Sequence, residues 1–135
     1  MTYVLLDSGP LILFLSGNLR PDLVGKRKTK QHTLAQFDRL EREVAILGKH
    51  ISLPNVLTEA SNHLGAGTQQ AVNGAARALS AYILSLDEIY QPSKDVVGIS
   101  EYMNVGLADA AIISCVPALK KRNVRVFTQD YELYH

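Results

Sequence analysis

Short apolar runs recur along the chain, and each is bounded by polar residues, glycine or proline. Such runs, placed between turn-forming residues, are typical of strands that are buried on both faces of a parallel sheet. The strands predicted in this way are residues 3–6, 51–53, 89–90 and 124–128. Parallel strands need long connections between them, and the intervening segments are long enough to hold helices.

Between these runs, apolar residues recur at spacings of three and four, which is the period of an amphipathic helix. The clearest case is the segment 33–47, with apolar residues at Leu34, Phe37, Leu40, Val44 and Leu47. The predicted helices are residues 11–15, 33–47, 54 to about 65, 69–86, 93–103 and 108–119. We expect Ser8 to cap the first helix, and Gly17 and Asn18 to end it.

The alternation of strands and helices predicts an α/β fold, in the form of a three-layer sandwich. Its central sheet is expected to be mostly parallel, with helices on both faces. A chain of 135 residues with no repeat, low-complexity tract or linker is expected to form a single domain, residues 1–135. Residues 19–33, which include Pro21 and Gly25, are expected to form a surface loop.

Composition excludes several classes of protein. The single cysteine, Cys115, excludes an internal disulfide framework and a cysteine-rich zinc site, and its apolar neighbours predict a buried thiol. The N-terminus lacks the pattern of a signal peptide, and no run approaches the ~20 apolar residues that span a bilayer. We therefore expect a cytoplasmic protein that does not enter a membrane.

Four acidic residues stand where an α/β fold would bring them together. Asp7 and Asp130 each follow a predicted strand, and the carboxyl ends of parallel strands face the crevice where ligands bind in such folds. Glu59 and Asp109 lie on predicted helices that cover the same edge. Each residue alone is explained equally well as a cap, a turn residue or a solvated helix position. Asp109 is the strongest candidate, because its neighbours on both sides are apolar and a buried carboxylate needs a partner.

Carboxylates gathered in one crevice repel each other unless some are protonated or a cation lies between them. Ligands that are all oxygen suit Mg²⁺ or Mn²⁺. The sequence therefore predicts a metal site for phosphate chemistry, in which a cation held by Asp7, Asp109 and Asp130 would activate a water and neutralise charge on the scissile phosphate. Glu59 would either ligate the ion or orient the attacking water.

Four segments of the chain resemble the motifs of the PIN domain, the metal-dependent ribonuclease fold of many toxin–antitoxin toxins and RNA-processing nucleases. The segments are 4–8 with Asp7, 55–59 with Glu59, 107–113 with Asp109, and 126–130 with Asp130. The resemblance runs from residue 3 to about residue 133. It implies that the four acids bind one or two Mg²⁺ or Mn²⁺ ions, that Thr128 lines the site, and that hydrolysis leaves a 5′-phosphate and a 3′-hydroxyl.

The same resemblance implies an RNA substrate, an antitoxin protein as a partner, and a homodimer. The chain departs from the family pattern in two places. It ends five residues after Asp130, so the final edge strand common in the family is expected to be absent. The basic segment at 26–30 is also longer and more charged than the family pattern demands.

The formal net charge is only +1, so contact with RNA would depend on local basic clusters. The first cluster lies in the predicted loop and comprises Lys26, Arg27, Lys28 and Lys30. We prefer the interpretation that it contacts phosphates, and the alternative is that it docks an acidic partner protein. The second cluster comprises Lys120, Lys121, Arg122 and Arg125, and its residues 120–122 follow a predicted helix. Cations there interact favourably with the negative end of the helix dipole, which explains them without RNA.

The leading hypothesis is therefore a Mg²⁺- or Mn²⁺-dependent endoribonuclease. The alternative is a catalytically weak PIN-like module that binds RNA or serves as a protein scaffold, although the presence of all four acids argues against it. A small phosphatase or phosphoacceptor domain would also explain Asp7. That class needs a lysine after a later strand, and no lysine occurs between Lys49 and Lys94 or at the end of the last predicted strand.

Overall fold

The computed structural model describes residues 2–20, 22, 24–25, 32–65, 74–99, 102–128 and 133–134. Within these residues the chain is α/β, as the sequence predicts. The strands are β1 (Tyr3–Leu6), β2 (Ile51–Ser52), β3 (Asp87–Glu88), β4 (Val124–Phe127) and β5 (Leu133–Tyr134). The helices are α1 (Ser8–Leu19), α2 (Leu34–Ala45), α3 (Pro54–Leu64), α4 (Ala75–Ser85), α5 (Ser93–Val96), α6 (Tyr102–Ser114) and α7 (Val116–Arg122).

The strands form a three-stranded sheet in the order β1-β4-β5 and a two-stranded sheet of β2 and β3. β1 pairs in parallel with β4, and β2 pairs in parallel with β3. A parallel bridge between Val4 and His50, with the Val4 amide donating to the Lys49 carbonyl at 2.9 Å, brings β2 beside β1. The predicted strand at 89–90 is shifted to Asp87–Glu88.

The expectation that no final edge strand is present is wrong. β5 pairs antiparallel with β4, so that Val126 lies opposite Tyr134 and Phe127 lies opposite Leu133. This short strand covers the edge of β4 that would otherwise be left without a partner.

Helix α1 differs from its prediction at both ends. Asp7, not Ser8, is the N-cap, since its carboxylate accepts a hydrogen bond from the Ser8 amide. The helix also continues through Gly17 and Asn18 to Leu19. Gly17 is there for packing, because a Cβ at this position would lie 2.3 Å from Cε1 of Phe37 on α2.

Replacing Gly17 with alanine is expected to destabilise the protein by about 1–3 kcal/mol, the usual cost of overpacking a core. Phe37 is 3% exposed and has no solvent to move into. Urea unfolding measures the effect, with Ser80→Ala at an exposed position of α4 as the control. Equal midpoints for Gly17→Ala and wild type would contradict the close contact between α1 and α2.

Two further helices follow the sequence closely. α2 begins with a capping box, in which the Thr33 hydroxyl accepts from the Gln36 amide and the Gln36 side chain accepts from the Thr33 amide. α3 begins at Pro54 and ends at Gly65, which has the left-handed conformation (φ 73°) that favours glycine at a helix end. A single residue, Leu53, separates β2 from α3, and Glu59 lies in the middle of this helix.

Three predicted helices have different bounds in the structure. The helix predicted for 69–86 is described as α4, which begins at Ala75 after Gly74 (φ 82°), and residues 69–73 lie outside the described part of the chain. The helix predicted for 93–103 ends at Val96. The helix predicted for 108–119 is divided at Cys115, because Pro117 has no amide hydrogen to continue the hydrogen-bonding pattern.

The core forms between β1, β4 and the helices packed on them. Val4, Leu5, Leu11 and Leu13 are fully buried, and Cys115 is buried as the sequence predicts. α3 packs against both α1 and α6. This packing brings together the beginning of α1, the middle of α3 and the part of α6 that holds Asp109. None of the described helices has the length and apolar character needed to span a membrane.

Candidate metal centre

Asp7 occupies the junction between β1 and α1, and its backbone is held on both sides. Its amide donates to the Phe127 carbonyl at 2.9 Å, and its carbonyl accepts from the Leu11 amide at 2.9 Å. Its carboxylate accepts from the Ser8 amide at 2.8 Å. Asp7 is therefore both the helix cap and the residue that stands at the carboxyl end of β1.

Three acids interact at this junction: Asp7, Asp109 and Glu59. The pKa of Asp7 is raised from 3.8 to about 7, chiefly because the carboxyl is desolvated by burial. The negative charge of Asp109, a side-chain hydrogen bond between Asp7 and Asp109, and the charge of Glu59 raise it further, while the hydrogen bond from the Ser8 amide opposes them. The structure thus brings together three of the four predicted acids, on a strand end and two helices.

Glu59 is attached to α1 by a specific contact. The Ser8 hydroxyl donates to Oε1 of Glu59 at 2.5 Å. Ser8 is 8% exposed and Glu59 is partly buried. Glu59 is therefore not a freely solvated helix residue, which was the alternative explanation for it.

The prediction that Asp109 is buried is wrong. Asp109 is exposed, whereas Ala110 and Ala111 next to it are fully buried. Leu107 is also 38% exposed, so an apolar neighbourhood in sequence did not place the carboxylate in the core. α6 turns its small residues inward, and the kink at Gly106 (φ 83°) precedes the turn that holds Asp109. Asp7, which is partly buried, is the less exposed of the two.

Of the remaining predicted site residues, only Thr128 lies within the described part of the chain. Thr128 directly follows β4 and is partly exposed, and the pairing of Leu6 with Phe127 puts it level with Asp7. Asp130 lies outside the described residues. So does the whole basic cluster predicted to contact RNA: Lys26, Arg27, Lys28 and Lys30.

One residue of the second basic cluster, Arg122, has local partners near the amino ends of β1 and β3. Arg122 lies over the ring of Tyr3, with 5.8 Å between its guanidinium carbon and the ring centroid. Its Nη1 is 3.8 Å from Oδ2 of Asp87, and Nζ of Lys49 is 3.5 Å from Oδ1 of the same carboxylate. These contacts support a structural role for Arg122, so contact with RNA is not needed to explain it.

The donors at the junction fit a hard divalent cation in their chemistry. All are carboxylate oxygens, the type that Mg²⁺ and Mn²⁺ prefer, and a cation would reverse the effects that raise the pKa of Asp7. Among the described residues, no three acidic, histidine or cysteine side chains are arranged around one point that could hold an ion. The fit therefore rests on donor type and on the electrostatics of Asp7.

Sequence reasoning missed the role of Ser8, which it assigned only to capping. The clue was its place directly after Asp7 in the first helical turn, where a side chain can reach a neighbouring helix. In comparisons of the whole sequence with protein-family models and with curated proteins, nothing matches.

Proposed function

We propose that this chain is a Mg²⁺- or Mn²⁺-dependent endoribonuclease built on a PIN-like, three-layer fold. The observation that carries the proposal is the partly buried carboxyl of Asp7, whose pKa is raised to about 7 by desolvation and by two neighbouring acids. Groups with strongly shifted pKa values, surrounded by like charges at a strand end, are typical of functional sites.

The electrostatics favour a cation at this position. Near neutral pH, Asp7 gives up its proton only against desolvation and against the charges of Asp109 and Glu59. A divalent cation held there would take the place of that proton and offset the repulsion between the carboxylates. When bound, the cation supplies positive charge opposite the scissile phosphate.

We assign the binding of the cation, the water and the phosphate to different side chains. Asp7 and Asp109 would hold the cation, with Asp130 as a further ligand from the end of β4. Glu59, fixed by Ser8 at 2.5 Å, would orient the attacking water and accept its proton, and Thr128 would line the phosphate position. Attack by water on phosphorus would break the bond between phosphorus and the 3′ oxygen, which takes up a proton from solvent, so that the products carry a 5′-phosphate and a 3′-hydroxyl.

We also propose two protein partners, an antitoxin and a second copy of this chain. A nuclease of this kind, acting as the toxin of a toxin–antitoxin pair, would need an antitoxin protein to hold it inactive, and a homodimer would present two such sites. Induction of the wild-type chain in a bacterial host should arrest growth, and the Asp7→Asn variant should not.

The experiment for the activity is cleavage of end-labelled RNA by purified protein. Single-stranded or looped RNA should be cut with Mg²⁺ or Mn²⁺ and left intact with EDTA, and the new ends should be a 5′-phosphate and a 3′-hydroxyl. If the protein binds RNA but cuts it in neither metal, the catalytically weak binding module becomes the better account.

The basic cluster at 26–30 gives a separate prediction. If its four cations contact phosphates, changing all four to alanine should weaken RNA binding without changing the cleavage site, since phosphate contacts position the RNA and base contacts specify it. The slope of the logarithm of the binding constant against the logarithm of salt concentration should also become shallower, by about 0.7 for each phosphate that the protein no longer neutralises. Binding of the Asp7→Asn protein, with and without the alanines, across a salt series measures this.

Alanine at Lys120, Lys121 and Arg122 serves as the control, because Arg122 already has local partners in Asp87 and Tyr3. Parallel salt dependences for the proteins with and without the 26–30 changes would show that this segment does not contact RNA. An acidic partner protein would then be the better explanation of the cluster.

A further inference from the structure

Ser8 connects two of the three acids at the junction. Its amide donates to Oδ1 of Asp7 at 2.8 Å, and its hydroxyl donates to Oε1 of Glu59 at 2.5 Å. Ser8 is 8% exposed, so water competes little for the hydroxyl. The first bond is local to the helix cap, whereas the second joins residues 51 positions apart in the sequence.

The bond to Glu59 restricts a flexible side chain. A glutamate side chain on a helix can rotate about several torsion angles. Glu59 lies on α3, and its partner Ser8 lies at the start of α1. A hydroxyl-to-carboxylate bond of 2.5 Å is in the range of the short, charge-assisted kind. It occupies Oε1 and leaves Oε2 to accept from a water or to meet a cation.

We propose that Ser8 is a positioning residue for the metal centre. By holding Oε1, it keeps the second oxygen of Glu59 directed toward Asp7 and Asp109, and so sets both the affinity for a divalent cation and the placement of the attacking water. This inference rests on the proposed function of the site. Ser8 itself touches neither the cation nor RNA.

A purely structural role for Ser8 has a different signature. If the hydroxyl only stabilised the packing of α1 on α3, its removal would lower the free energy of unfolding and leave cation affinity unchanged. If it positions Glu59, its removal changes affinity for the cation. Removal of an outer partner of a metal ligand typically costs 10–100-fold in affinity or activity.

The experiment is a titration of the full-length protein with Mn²⁺, with free Mn²⁺ measured by electron paramagnetic resonance. Ser8→Ala should bind Mn²⁺ about 10–100-fold more weakly than wild type, and Ser8→Thr, which keeps the hydroxyl, should recover most of the affinity. The control is Ser114→Ala, which removes the partly buried hydroxyl that donates to the Ala111 carbonyl at 2.9 Å on α6. Its affinity should equal that of wild type.

A double-mutant cycle separates action through Glu59 from any other effect. In a Glu59→Ala background the Ser8→Ala change should have no further effect on Mn²⁺ affinity, because the carboxylate it positions is gone. At saturating Mn²⁺, Ser8→Ala should lower kcat for RNA and leave KM unchanged. Should Ser8→Ala fail to fold, Ser8→Thr and Ser8→Val share a shape and differ by the hydroxyl, so they give the same comparison.

Equal Mn²⁺ affinities for wild type and Ser8→Ala would overturn the positioning role. It would also be overturned if Ser8→Ala weakened Mn²⁺ binding as much in the Glu59→Ala background as it does in wild type. Failure of the proposed function looks different. If wild type binds Mn²⁺ but cuts no RNA, the nuclease proposal fails while the affinities still decide the role of Ser8. If wild type binds no Mn²⁺, both are overturned together.

Discussion

Asparagine in place of Asp7 is expected to lower the rate of RNA cleavage by about 10²–10³-fold, the usual effect of removing one electrostatic group from an active site. The substitution keeps the size of the side chain and its ability to cap α1, since asparagine caps helices as well as aspartate does. The Ser8 amide therefore keeps its acceptor. The change removes the negative charge at the end of β1.

Asp109→Asn should reduce the rate to a similar degree, because Asp109 exerts the largest effect of any charged group on Asp7. Single-turnover cleavage of end-labelled RNA in Mn²⁺ gives the rates. Asp38→Asn, at an exposed position of α2, is the matched control and should cut RNA at the wild-type rate. Cleavage by Asp7→Asn within a factor of about two of wild type, a far smaller loss than expected, would remove the junction from the mechanism.

The second large effect concerns stability in the absence of metal. The folded-state pKa of Asp7, about 7, lies above its ordinary value of 3.8. Folding therefore favours the protonated form, and the stabilising contribution is complete below pH 3.8. It is lost as the pH rises through about 7, by up to roughly 4 kcal/mol at 1.36 kcal/mol per pKa unit.

Asp7→Asn removes this titration, so the metal-free variant should be more stable than wild type at pH 8 and nearly equal to it at pH 4. Mn²⁺ should narrow this difference at pH 8, stabilising wild type by about 2.7 kcal/mol at one hundred times its dissociation constant and leaving the variant unchanged. Urea unfolding at the two pH values, with EDTA and with Mn²⁺, measures both effects. A metal-free wild type as stable as Asp7→Asn at pH 8 would show that Asp7 is not strained.

Local sequence rules accounted well for the elements that have a clear chemical beginning or end. β1 and β4 are fully apolar or nearly so, and the bounds of α3 follow from Pro54 and Gly65. The same rules failed where tertiary packing decides. Gly17 lies inside α1 instead of ending it, and glycine is required there because the ring of Phe37, on a different helix, leaves no room for a Cβ.

The candidate site shows the same division. The position of Asp7 follows from the end of a buried strand, and it is correct. The burial of Asp109 was inferred from apolar neighbours, but which side of a helix faces the core depends on what packs against it. The contact between Ser8 and Glu59 depends on the placement of α3 against α1, which periodicity does not specify.

The most direct test of the central claim is a crystal structure of the protein soaked in Mn²⁺, with anomalous data collected above the manganese absorption edge. We expect an anomalous peak at the carboxyl end of β1, about 2.1 Å from carboxylate oxygens of Asp7 and Asp109. Asp130, which follows β4 in the sequence, should bind the same ion. Data that show no peak beside Asp7, or an Asp130 carboxylate facing away from Asp7, would contradict it.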